Sequence, residues 1–273
     1  MTALDGVDDA GLLKAVRAVS LKAAAAIMAV YQRDFTVDTK SDQSPLTEAD
    51  VAAHGVITSG LEALTPHWPV LSEESQVVDF AERRHWRRFW LVDPLDGTKQ
   101  FVRRNGEFTV NIALVEDGFP VLGLVHIPAQ GRCYAAGPTL GALRWDDDGT
   151  PLPIAVTRPP ATPLRVVGSR SHANPAVEAY LARLGAFELV PIGSALKFCL
   201  VAEGAADLYP RFGPTSEWDT AAAQCVVERA GGRVMDLSGQ RLRYNQGESL
   251  LNPHFLVCGD GDRDWLTPLD ALP

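Results

Sequence analysis

The sequence predicts a mixed α/β protein of two packed lobes, an α+β lobe over residues 1–136 and an α/β lobe over residues 137–273. A chain of 273 residues is long for one compact domain. In the first half, two apolar runs flank Asp117-Gly118, which is a β-hairpin signal. From about Leu164 onward, short apolar runs alternate with helical patterns, as is typical of α/β structure. No repeat or long linker separates the halves, so we expect one continuous unit.

Two helices are expected near the start of the chain. Apolar residues recur at helical spacing after Asp8 or Asp9, which can cap the first helix. Thr47 begins the second helix, and Asp50 three residues later completes the pattern of a capping box. The segment between them, residues 36–45, is polar and is expected to be a loop.

The second half shows three helical patterns, each ended by a glycine. They begin at Asn174, Ser194 and Glu217 and end before Gly185, Gly204 and Gly231. Short apolar runs at residues 164–168 and 206–209 are expected to be strands.

Composition and charge exclude several classes of function. The chain has 25 Lys and Arg against 34 Asp and Glu, a net charge of −9, so nucleic-acid binding is not expected as its main function. The basic run at residues 83–88 is expected to be a solvated helix end. No stretch approaches ~18 uninterrupted apolar residues. The amino terminus lacks a signal-peptide pattern, and the four separated cysteines are expected to be buried thiols. We expect a cytoplasmic protein; contact with the inner face of the membrane and the oligomeric state stay open.

The acidic turn after the apolar run at residues 89–92 is the sharpest chemical feature. Asp93 and Asp96 lie on either side of a proline, and Gly97 and Thr98 follow, where a helix can begin. Free N–H groups at a helix start attract anions, whereas carboxylates repel them. A divalent cation resolves that conflict, because carboxylates bind Mg²⁺ and Mg²⁺ together with backbone amides binds a phosphate. An Asp-Pro turn before a capped helix is the alternative.

Three further acidic segments favour the metal interpretation. Glu73 and Glu74 follow an apolar run, Asp219 lies at a predicted helix start in the second half, and Asp50 lies at one in the first. Each also has an ordinary interpretation, as a solvated loop, a first-turn acid or a capping box. Four carboxylate clusters at strand ends and helix starts together predict a multi-metal phosphatase site in a cleft between the lobes.

Three motifs, taken in order, carry a family resemblance. Asp93-Pro94-Leu95-Asp96-Gly97-Thr98, preceded by Glu73-Glu74 and followed by Trp218-Asp219-Thr220-Ala221-Ala222, resembles the inositol monophosphatase family of lithium-sensitive, magnesium-dependent phosphatases. Their order and spacing match over nearly the whole chain. Segments at residues 104–114, 169–172 and 193–198 resemble one branch, the bacterial CysQ-type 3′(2′),5′-bisphosphate nucleotidases. Gln100 departs from the Glu expected in that branch, but it does not match a metal ligand.

The resemblance implies a layered αβαβα sugar-phosphatase sandwich and a set of site roles. It implies two or three Mg²⁺ ions, bound by Glu73, Asp93, Asp96, Asp219 and the carbonyl oxygen of Leu95. Asp50 and Thr98, with Glu73 nearby, would orient and deprotonate the attacking water. Gly97 and Thr98 would present N–H groups to the scissile phosphate. The same resemblance places four of the metal ligands against the substrate: Glu73, Leu95, Asp96 and Asp219.

Substrate choice is expected to come from the second lobe. A nucleoside bisphosphate carries a second phosphate that an inositol monophosphate lacks, so extra cations or hydrogen-bond donors are required. The candidates are His172, Ser194, Lys197 and Arg211. A solvent-facing helix position for Lys197 and a simple ion pair for Arg211 are the alternatives.

The predicted function is that of a Mg²⁺-dependent phosphatase acting by direct attack of water. No nucleophile elbow or P-loop pattern suggests a covalent phosphoenzyme. The expected reaction removes the 3′-phosphate of adenosine 3′,5′-bisphosphate, with 3′-phosphoadenylyl sulfate as a further candidate substrate. Inositol monophosphatase or fructose-1,6-bisphosphatase activity on the same scaffold is the alternative, and a non-catalytic binding protein is a third.

Overall fold

The structure is a computed structural model that describes residues 8–39, 45–76, 78–147, 149–169 and 174–269. The helices are α1 (Asp9–Tyr31), α2 (Glu48–Leu64), α3 (Phe80–Arg83), α4 (Thr98–Val102), α5 (Pro175–Leu184), α6 (Leu196–Ala202) and α7 (Ala221–Arg229). The strands are β1 (Val37–Thr39), β2 (Pro45–Thr47), β3 (Val70–Ser72), β4 (Arg88–Asp96), β5 (Thr109–Glu116), β6 (Phe119–Ile127), β7 (Arg132–Gly137), β8 (Gly141–Asp146), β9 (Leu152–Pro153), β10 (Leu164–Ser169), β11 (Phe187–Ile192), β12 (Leu208–Arg211), β13 (Arg233–Asp236) and β14 (Phe255–Cys258). Short 3₁₀ turns lie at Pro128–Gln130, Glu217–Asp219 and Thr267–Leu269.

The larger sheet has the strand order β3-β4-β5-β6-β7-β8-β9. β3 and β4 are parallel, and the other neighbours are antiparallel. The predicted hairpin joins β5 to β6, with positive φ at Asp117 (51°) and Gly118 (82°), as a tight turn between twisted strands requires. This sheet continues through β9, past residue 136, so the division of the chain into lobes stays a prediction.

The smaller sheet has the order β11-β10-β12-β14-β13. β10 pairs in parallel with both β11 and β12, whereas β14 is antiparallel to β12 and β13. The helix between β10 and β11 begins where Asn174 caps it, accepting hydrogen bonds from the amides of Ala176 and Val177, and it ends at Gly185. The predicted strand–helix alternation is therefore present in this part of the chain.

The elements form five layers in the order helix, sheet, helix, sheet, helix. α1 and α2 cover one face of the larger sheet through a core that includes Ile27, Ile57 and Trp90. α6 and α7 fill the space between the sheets, and α5 packs on the outer face of the smaller sheet, where Tyr180 and Trp265 are buried. Each such apolar side chain stabilises the fold by about 1.5–3 kcal/mol through burial.

Gly123 on β6 sets how closely α7 approaches the larger sheet. A Cβ at this position would lie 2.2 Å from the carbonyl oxygen of Ala222 and 2.7 Å from Cβ of Cys225. Any side chain would therefore push α7 outward. Because α7 follows Asp219 directly, this close contact also fixes where that carboxylate lies.

Two expectations about local structure are wrong. Within residues 36–45, positions 37–39 and 45 are not loop, because β1 pairs with β2 in an antiparallel ladder, and residues 40–44 lie outside the described residues. Residues 217–230 are not one helix: Ser216 and Asp219 form a capping box around a 3₁₀ turn, and Thr220 (φ −122°) separates that turn from α7. The Thr220 hydroxyl contacts the Tyr244 hydroxyl and accepts from Asn252 Nδ2, and these distant partners fix the break between the turn and α7.

The basic run at residues 83–88 is also not uniformly solvated. Arg83 is 2% exposed, and its guanidinium donates to Asn245 Oδ1 and to the carbonyl oxygens of Gly247 and Glu248. Arg88 pairs with Glu116 at 2.6 Å. The four cysteines are buried free thiols, as predicted. Within the described residues, no helix combines the length and the apolar character needed to cross a bilayer.

Candidate active site

A bulge in β4 brings Asp93 and Asp96 to the same side of the sheet. Asp93 lies opposite Asn111 and Asp96 lies opposite Thr109, so three steps along β4 face two steps along β5. In a regular strand, the side chains of residues three apart point to opposite faces of the sheet. The extra residue of the bulge shifts the alternation by one, so the Asp96 side chain points to the same face as Asp93. Pro94 lies within the bulge, where a strand tolerates a residue without an N–H donor.

Asp219 joins these two carboxylates from the turn before α7. One carboxylate oxygen from each of Asp93, Asp96 and Asp219 lies within 4.8 Å of the others. The backbone N–H of Ser216 donates to Asp219 Oδ2 at 2.9 Å, which orients that carboxylate. Asp96 Oδ2 accepts from the backbone N–H of Ala195 at 2.6 Å. The acidic cluster therefore forms at the contact between the two sheets' layers.

Glu73 and Leu95, the other two predicted ligands, lie beside the cluster, although the oxygens that converge within 4.8 Å are those of Asp93, Asp96 and Asp219. Ser72 pairs with Val92 in the parallel ladder of β3 and β4, and Glu73 N–H then donates to the carbonyl oxygen of Val92 at 3.1 Å. Leu95 N–H donates to Asp93 Oδ1 at 3.0 Å. The backbone at this bulge is thus fixed by the same carboxylate that the sequence predicts as a metal ligand.

The electrostatics of the cluster favour a bound cation. Burial raises the pKa of Asp93 well above its usual range, and the neighbouring charges of Glu73 and Asp96 raise it further. Burial followed by the charge of Asp96 raises the pKa of Asp219 in the same way. Burial also raises the pKa of Asp96, against the opposing charge of Lys197. Buried like charges need protons or a cation, and an all-oxygen donor set suits a hard divalent ion such as Mg²⁺.

Asp50 contacts both Thr47 and Thr98. Its Oδ2 accepts from the backbone N–H of Thr47 at 2.7 Å and from the Thr47 hydroxyl at 2.6 Å, which is the predicted capping box. Its Oδ1 lies 3.3 Å from Thr98 Oγ1, which is also 3.3 Å from the carbonyl oxygen of Leu95. The two interpretations of Asp50, a helix cap and a partner of Thr98, are therefore both present in the geometry.

Gly97 makes the turn from β4 into α4. Its φ is 90°, and a Cβ would lie 3.0 Å from the carbonyl oxygen of Glu107 and 3.2 Å from Cβ of Ser194. Glycine is the residue that adopts this conformation without strain. α4 begins at Thr98, as predicted, and the first N–H groups of a helix have no acceptor within it.

A cavity of about 380 Å³ lies beside the acidic cluster and is lined by residues from both halves of the sequence. Lys197 is 7% exposed, which excludes the solvent-facing alternative, and its Nζ donates to the carbonyl oxygen of Ser194 at 2.6 Å. Burial lowers its pKa to about 8, while the charge of Asp96 acts in the opposite direction. The Lys197 ammonium lies 5.3 Å from the ring centroid of Tyr209. The ammonium group of Lys197 therefore lies in the cavity near the carboxylates.

Two other cavity residues keep unused hydrogen-bonding groups. Ser194 Oγ and Arg211 Nε are buried with no hydrogen-bond partner within the described ranges. Arg211 Nη2 donates to the carbonyl oxygen of Pro214 at 2.7 Å and forms no ion pair with a described residue. Ser194 has a φ of 44°, so α6 begins two residues later than predicted. His172 lies outside the described residues.

Glu107 and Thr109 are site residues that sequence reasoning did not assign. Glu107 Oε2 accepts from the backbone N–H of Gly193 at 2.9 Å and so joins two segments that are distant in sequence beside the cavity. The Thr109 hydroxyl lies 3.3 Å from Asp96 Oδ2. Both lie in the segment that carried the family resemblance, but their partners are distant in sequence and no local pattern marks them.

Comparison with known proteins agrees with this geometry. The model of the inositol monophosphatase family matches residues 8–260. The chain is 50% identical over 250 residues to the 3′(2′),5′-bisphosphate nucleotidase CysQ of Escherichia coli (strain K12), covering 90% of this chain and 99% of that one. It is 41% identical to the CysQ of Aggregatibacter actinomycetemcomitans, covering 93% of this chain and 95% of that one.

Solved structures give the same result. CysQ from Bacteroides thetaiotaomicron matches with a TM-score of 0.79 and 42% identity, over 93% of this chain and 98% of that one. An inositol monophosphatase from Anabaena matches in fold with a TM-score of 0.77 at 24% identity, over 98% of each chain. The predicted layered fold class and the predicted resemblance are confirmed. The chain belongs to the inositol monophosphatase family.

Proposed function

We propose that the protein is a 3′(2′),5′-bisphosphate nucleotidase that hydrolyses the 3′-phosphate of adenosine 3′,5′-bisphosphate to give AMP and phosphate. The observation that carries the proposal is the convergence of Asp93, Asp96 and Asp219 within 4.8 Å beside a cavity that also contains Lys197. The relatives named CysQ support the substrate class. 3′-Phosphoadenylyl sulfate, which carries the same 3′-phosphate, is a further proposed substrate.

The residues of the cluster fit Mg²⁺, and we assign two or three ions to it. The proposed ligands are Glu73, Asp93, Asp96, Asp219 and the carbonyl oxygen of Leu95. Bound there, Mg²⁺ lowers the pKa of a water molecule and neutralises charge on the phosphoryl oxygens. The raised pKa values of Asp93 and Asp219 support this assignment, because cations would replace the protons that the bare cluster favours.

In the proposed reaction, Asp50 and Thr98 act on the attacking water. The Thr98 hydroxyl accepts a hydrogen bond from the water and donates its own proton toward Asp50 Oδ1, so the water's proton is transferred to Asp50 as the new P–O bond forms. The bond between phosphorus and the 3′-oxygen breaks, and solvent supplies the proton to that oxygen. The N–H groups of Gly97 and Thr98 hold the phosphoryl oxygens.

Lys197 and Arg211 are assigned to the second phosphate of the substrate. Lys197 is buried in the cavity, and Arg211 offers guanidinium donors there that form no ion pair with a described residue. A charge-assisted hydrogen bond to a phosphate is roughly twice as strong as a neutral one. Ser194, with its unused hydroxyl, is assigned to the same substrate, and His172 stays a proposed contact. Inositol 1-phosphate has no second phosphate to occupy these donors.

We further propose that the protein works in the cytoplasm on a small-molecule substrate. Its four buried free cysteines fit a reducing compartment. Fractionation of cells tests the location: recovery in the supernatant supports it, and recovery with the membrane pellet that salt releases supports peripheral contact instead.

A phosphate-release assay tests the proposed function. The substrates are adenosine 3′,5′-bisphosphate, its 2′,5′ isomer, 3′-phosphoadenylyl sulfate, inositol 1-phosphate and fructose 1,6-bisphosphate, each at saturating Mg²⁺. We expect kcat/KM for the adenosine bisphosphate to exceed that for inositol 1-phosphate about tenfold or more, which corresponds to roughly 1.4 kcal/mol. EDTA should abolish turnover and Mg²⁺ should restore it. Equal or faster hydrolysis of inositol 1-phosphate would refute the assignment.

A further inference from the structure

A second cavity lies at the opposite end of β4 from the acidic cluster. Residues 84–87, the Asp117-Gly118 turn and residues 243–246 enclose a volume of about 460 Å³. Phe89, which lines this cavity, lies four residues before Asp93 on β4, so about 13 Å of strand separates the two sites. The proposed function does not use this cavity.

The walls of this cavity are rich in arginine, although the protein as a whole has a net charge of −9. Arg84 and Arg243 line it, and neither forms an ion pair with a described residue. Arg87 also lines it and lies 3.4 Å from Glu116 and 3.3 Å from Asp117. The local charge is therefore positive, and two guanidinium groups keep their donors available.

Two of the donors, on Arg243 and Gln246, are held in place by their neighbours, and Gln246 Nε2 itself donates to the carbonyl oxygen of Tyr244 at 2.7 Å. The Arg243 guanidinium lies 5.2 Å from the ring centroid of Phe119, a cation–π contact. A Cβ at Gly118 would lie 3.4 Å from Arg243 Nη2 and 2.8 Å from Gln246 Nε2, so the absence of a side chain there lets these donors approach the turn. Tyr244 N–H donates to the carbonyl oxygen of Gly118 at 3.0 Å. Such restraint lowers the entropy lost when a ligand binds.

We propose that this cavity, the Arg84–Arg243 pocket, is a second binding site for a small oxyanion of the phosphate or sulfate class. Guanidinium groups match tetrahedral oxyanions with paired N–H donors, and Gln246 adds an amide donor. The volume falls within the range of small-ligand sites. Trp86, which also lines the pocket, provides a ring beside the anion.

The wall of the pocket is bonded directly to the turn that carries Asp219. Asn245 N–H donates to Glu217 Oε2 at 2.8 Å, and the hydroxyl groups of Tyr244 and Thr220 are 3.2 Å apart. Glu217 and Thr220 flank Asp219 in sequence. An anion that orders residues 243–246 therefore restrains the turn that presents Asp219, and we expect occupancy to raise kcat.

Two-dimensional NMR of the Mg²⁺-loaded full chain tests the binding. The indole N–H of Trp86 reports on the pocket, and that of Trp218, next to Asp219, reports on the proposed catalytic site. Sodium sulfate, sodium phosphate and AMP are titrated separately at constant ionic strength, which distinguishes free ions from a nucleotide as the source of the oxyanion. We expect the Trp86 resonance to shift saturably with at least one of them.

The matched variants are R84S/R243S and K14S/K22S. Both remove two positive charges, but Lys14 and Lys22 are exposed on α1, away from the pocket. The first variant should weaken the Trp86 titration about tenfold or more, as loss of charge-assisted hydrogen bonds implies. R84K/R243K should keep part of the affinity. Identical Trp86 titrations in wild type and R84S/R243S, or no shift in wild type, would overturn the site.

Measurement of kcat tests whether anion binding in the Arg84–Arg243 pocket is coupled to the proposed catalytic site. At saturating substrate, the same oxyanion should raise kcat about twofold in wild type and K14S/K22S and leave R84S/R243S unchanged. A kcat that the anion does not alter in wild type would overturn the coupling. Because the NMR titration needs no turnover, failure of the nucleotidase assignment and failure of this site are distinguishable.

Discussion

Replacing Asp93 by asparagine removes one negative charge from the acidic cluster while keeping its shape. The asparagine Oδ1 can still accept the hydrogen bond from Leu95 N–H, so the bulge in β4 is expected to stay intact. What changes is the affinity for a hard cation, because a neutral amide oxygen replaces an anionic ligand. We expect kcat of the D93N variant at saturating Mg²⁺ to fall about 100-fold or more, which corresponds to roughly 2.7 kcal/mol.

In the metal-free protein, the same D93N substitution should increase stability. One oxygen from each carboxylate lies within 4.8 Å of the others, and two full charges at that upper limit repel by about 3.5 kcal/mol at an effective dielectric constant near 20. Protons that the bare cluster binds relieve part of this repulsion. We therefore expect D93N to raise the free energy of unfolding in EDTA by about 1–2 kcal/mol, or ~2–4 °C in Tm.

The pH dependence of folding stability follows from the direction of the pKa shift of Asp93. The pKa of Asp93 is raised in the folded protein, so the folded state binds more protons than the unfolded state above the usual pKa of an aspartic acid. Its contribution to stability is present at low pH and is lost as the pH rises through the folded pKa. In EDTA, wild-type stability should thus fall with rising pH more steeply than that of D93N.

Thermal unfolding by circular dichroism, in EDTA and in Mg²⁺, measures these effects beside the activity assay. D262N is the control, because the Asp262 side chain is 93% exposed and its ion pair with Arg158 spans 3.9 Å. It should match wild type in Tm and kcat. Near-normal turnover of D93N, or a lower Tm than wild type in EDTA, would refute the cation-site reasoning.

Three further outcomes are expected. K197A should lower kcat/KM for adenosine 3′,5′-bisphosphate about 10- to 100-fold while sparing inositol 1-phosphate, because Lys197 is assigned to the second phosphate; an equal loss on both substrates contradicts that role. G97A should lower kcat and destabilise the fold by about 1–2 kcal/mol in urea unfolding, since φ is 90° and the new Cβ would lie 3.0 Å from the Glu107 carbonyl oxygen. Burial lowers the pKa of His126, which contacts Ser20, to about 4. The contribution of neutral His126 to stability is present above its unfolded pKa and is lost as the pH falls. The free energy of unfolding, measured in urea, should therefore decrease by about 2 kcal/mol from pH 7 to pH 5, and a H126N variant should not show this decrease.

Local sequence signals predicted the parts of the site that depend on local structure. The Asp93 to Thr98 turn, the capping box of Thr47 and Asp50, and the hairpin at Asp117 each contain hydrogen bonds between residues fewer than six apart. Such interactions leave a pattern in composition and spacing. The positions of these elements were therefore accessible before any three-dimensional information.

Interactions between distant segments explain what the sequence did not predict. Arg83 is buried because its hydrogen-bond partners are the side chain of Asn245 and the carbonyl oxygens of Gly247 and Glu248, more than 160 residues away. Lys197 is buried in the cavity by the packing of the layers, although its own helix offers no sign of it. The break at Thr220 likewise depends on tertiary contacts, because its hydroxyl meets Tyr244 and Asn252.

The acidic cluster lies between the layers of the two sheets, and this location links cation binding to the packing of those layers. Asp96 extends from the larger sheet but accepts from Ala195 N–H, and Glu107 accepts from Gly193 N–H. Asp219 lies in the turn that precedes α7, the helix packed between the sheets. A cation bound by acids from both segments would stabilise the contact between them as well as the site, by the mass-action free energy of binding. Because the acids that repel one another in EDTA are also the proposed ligands, we expect Mg²⁺ to raise the stability of the fold as well as to support turnover.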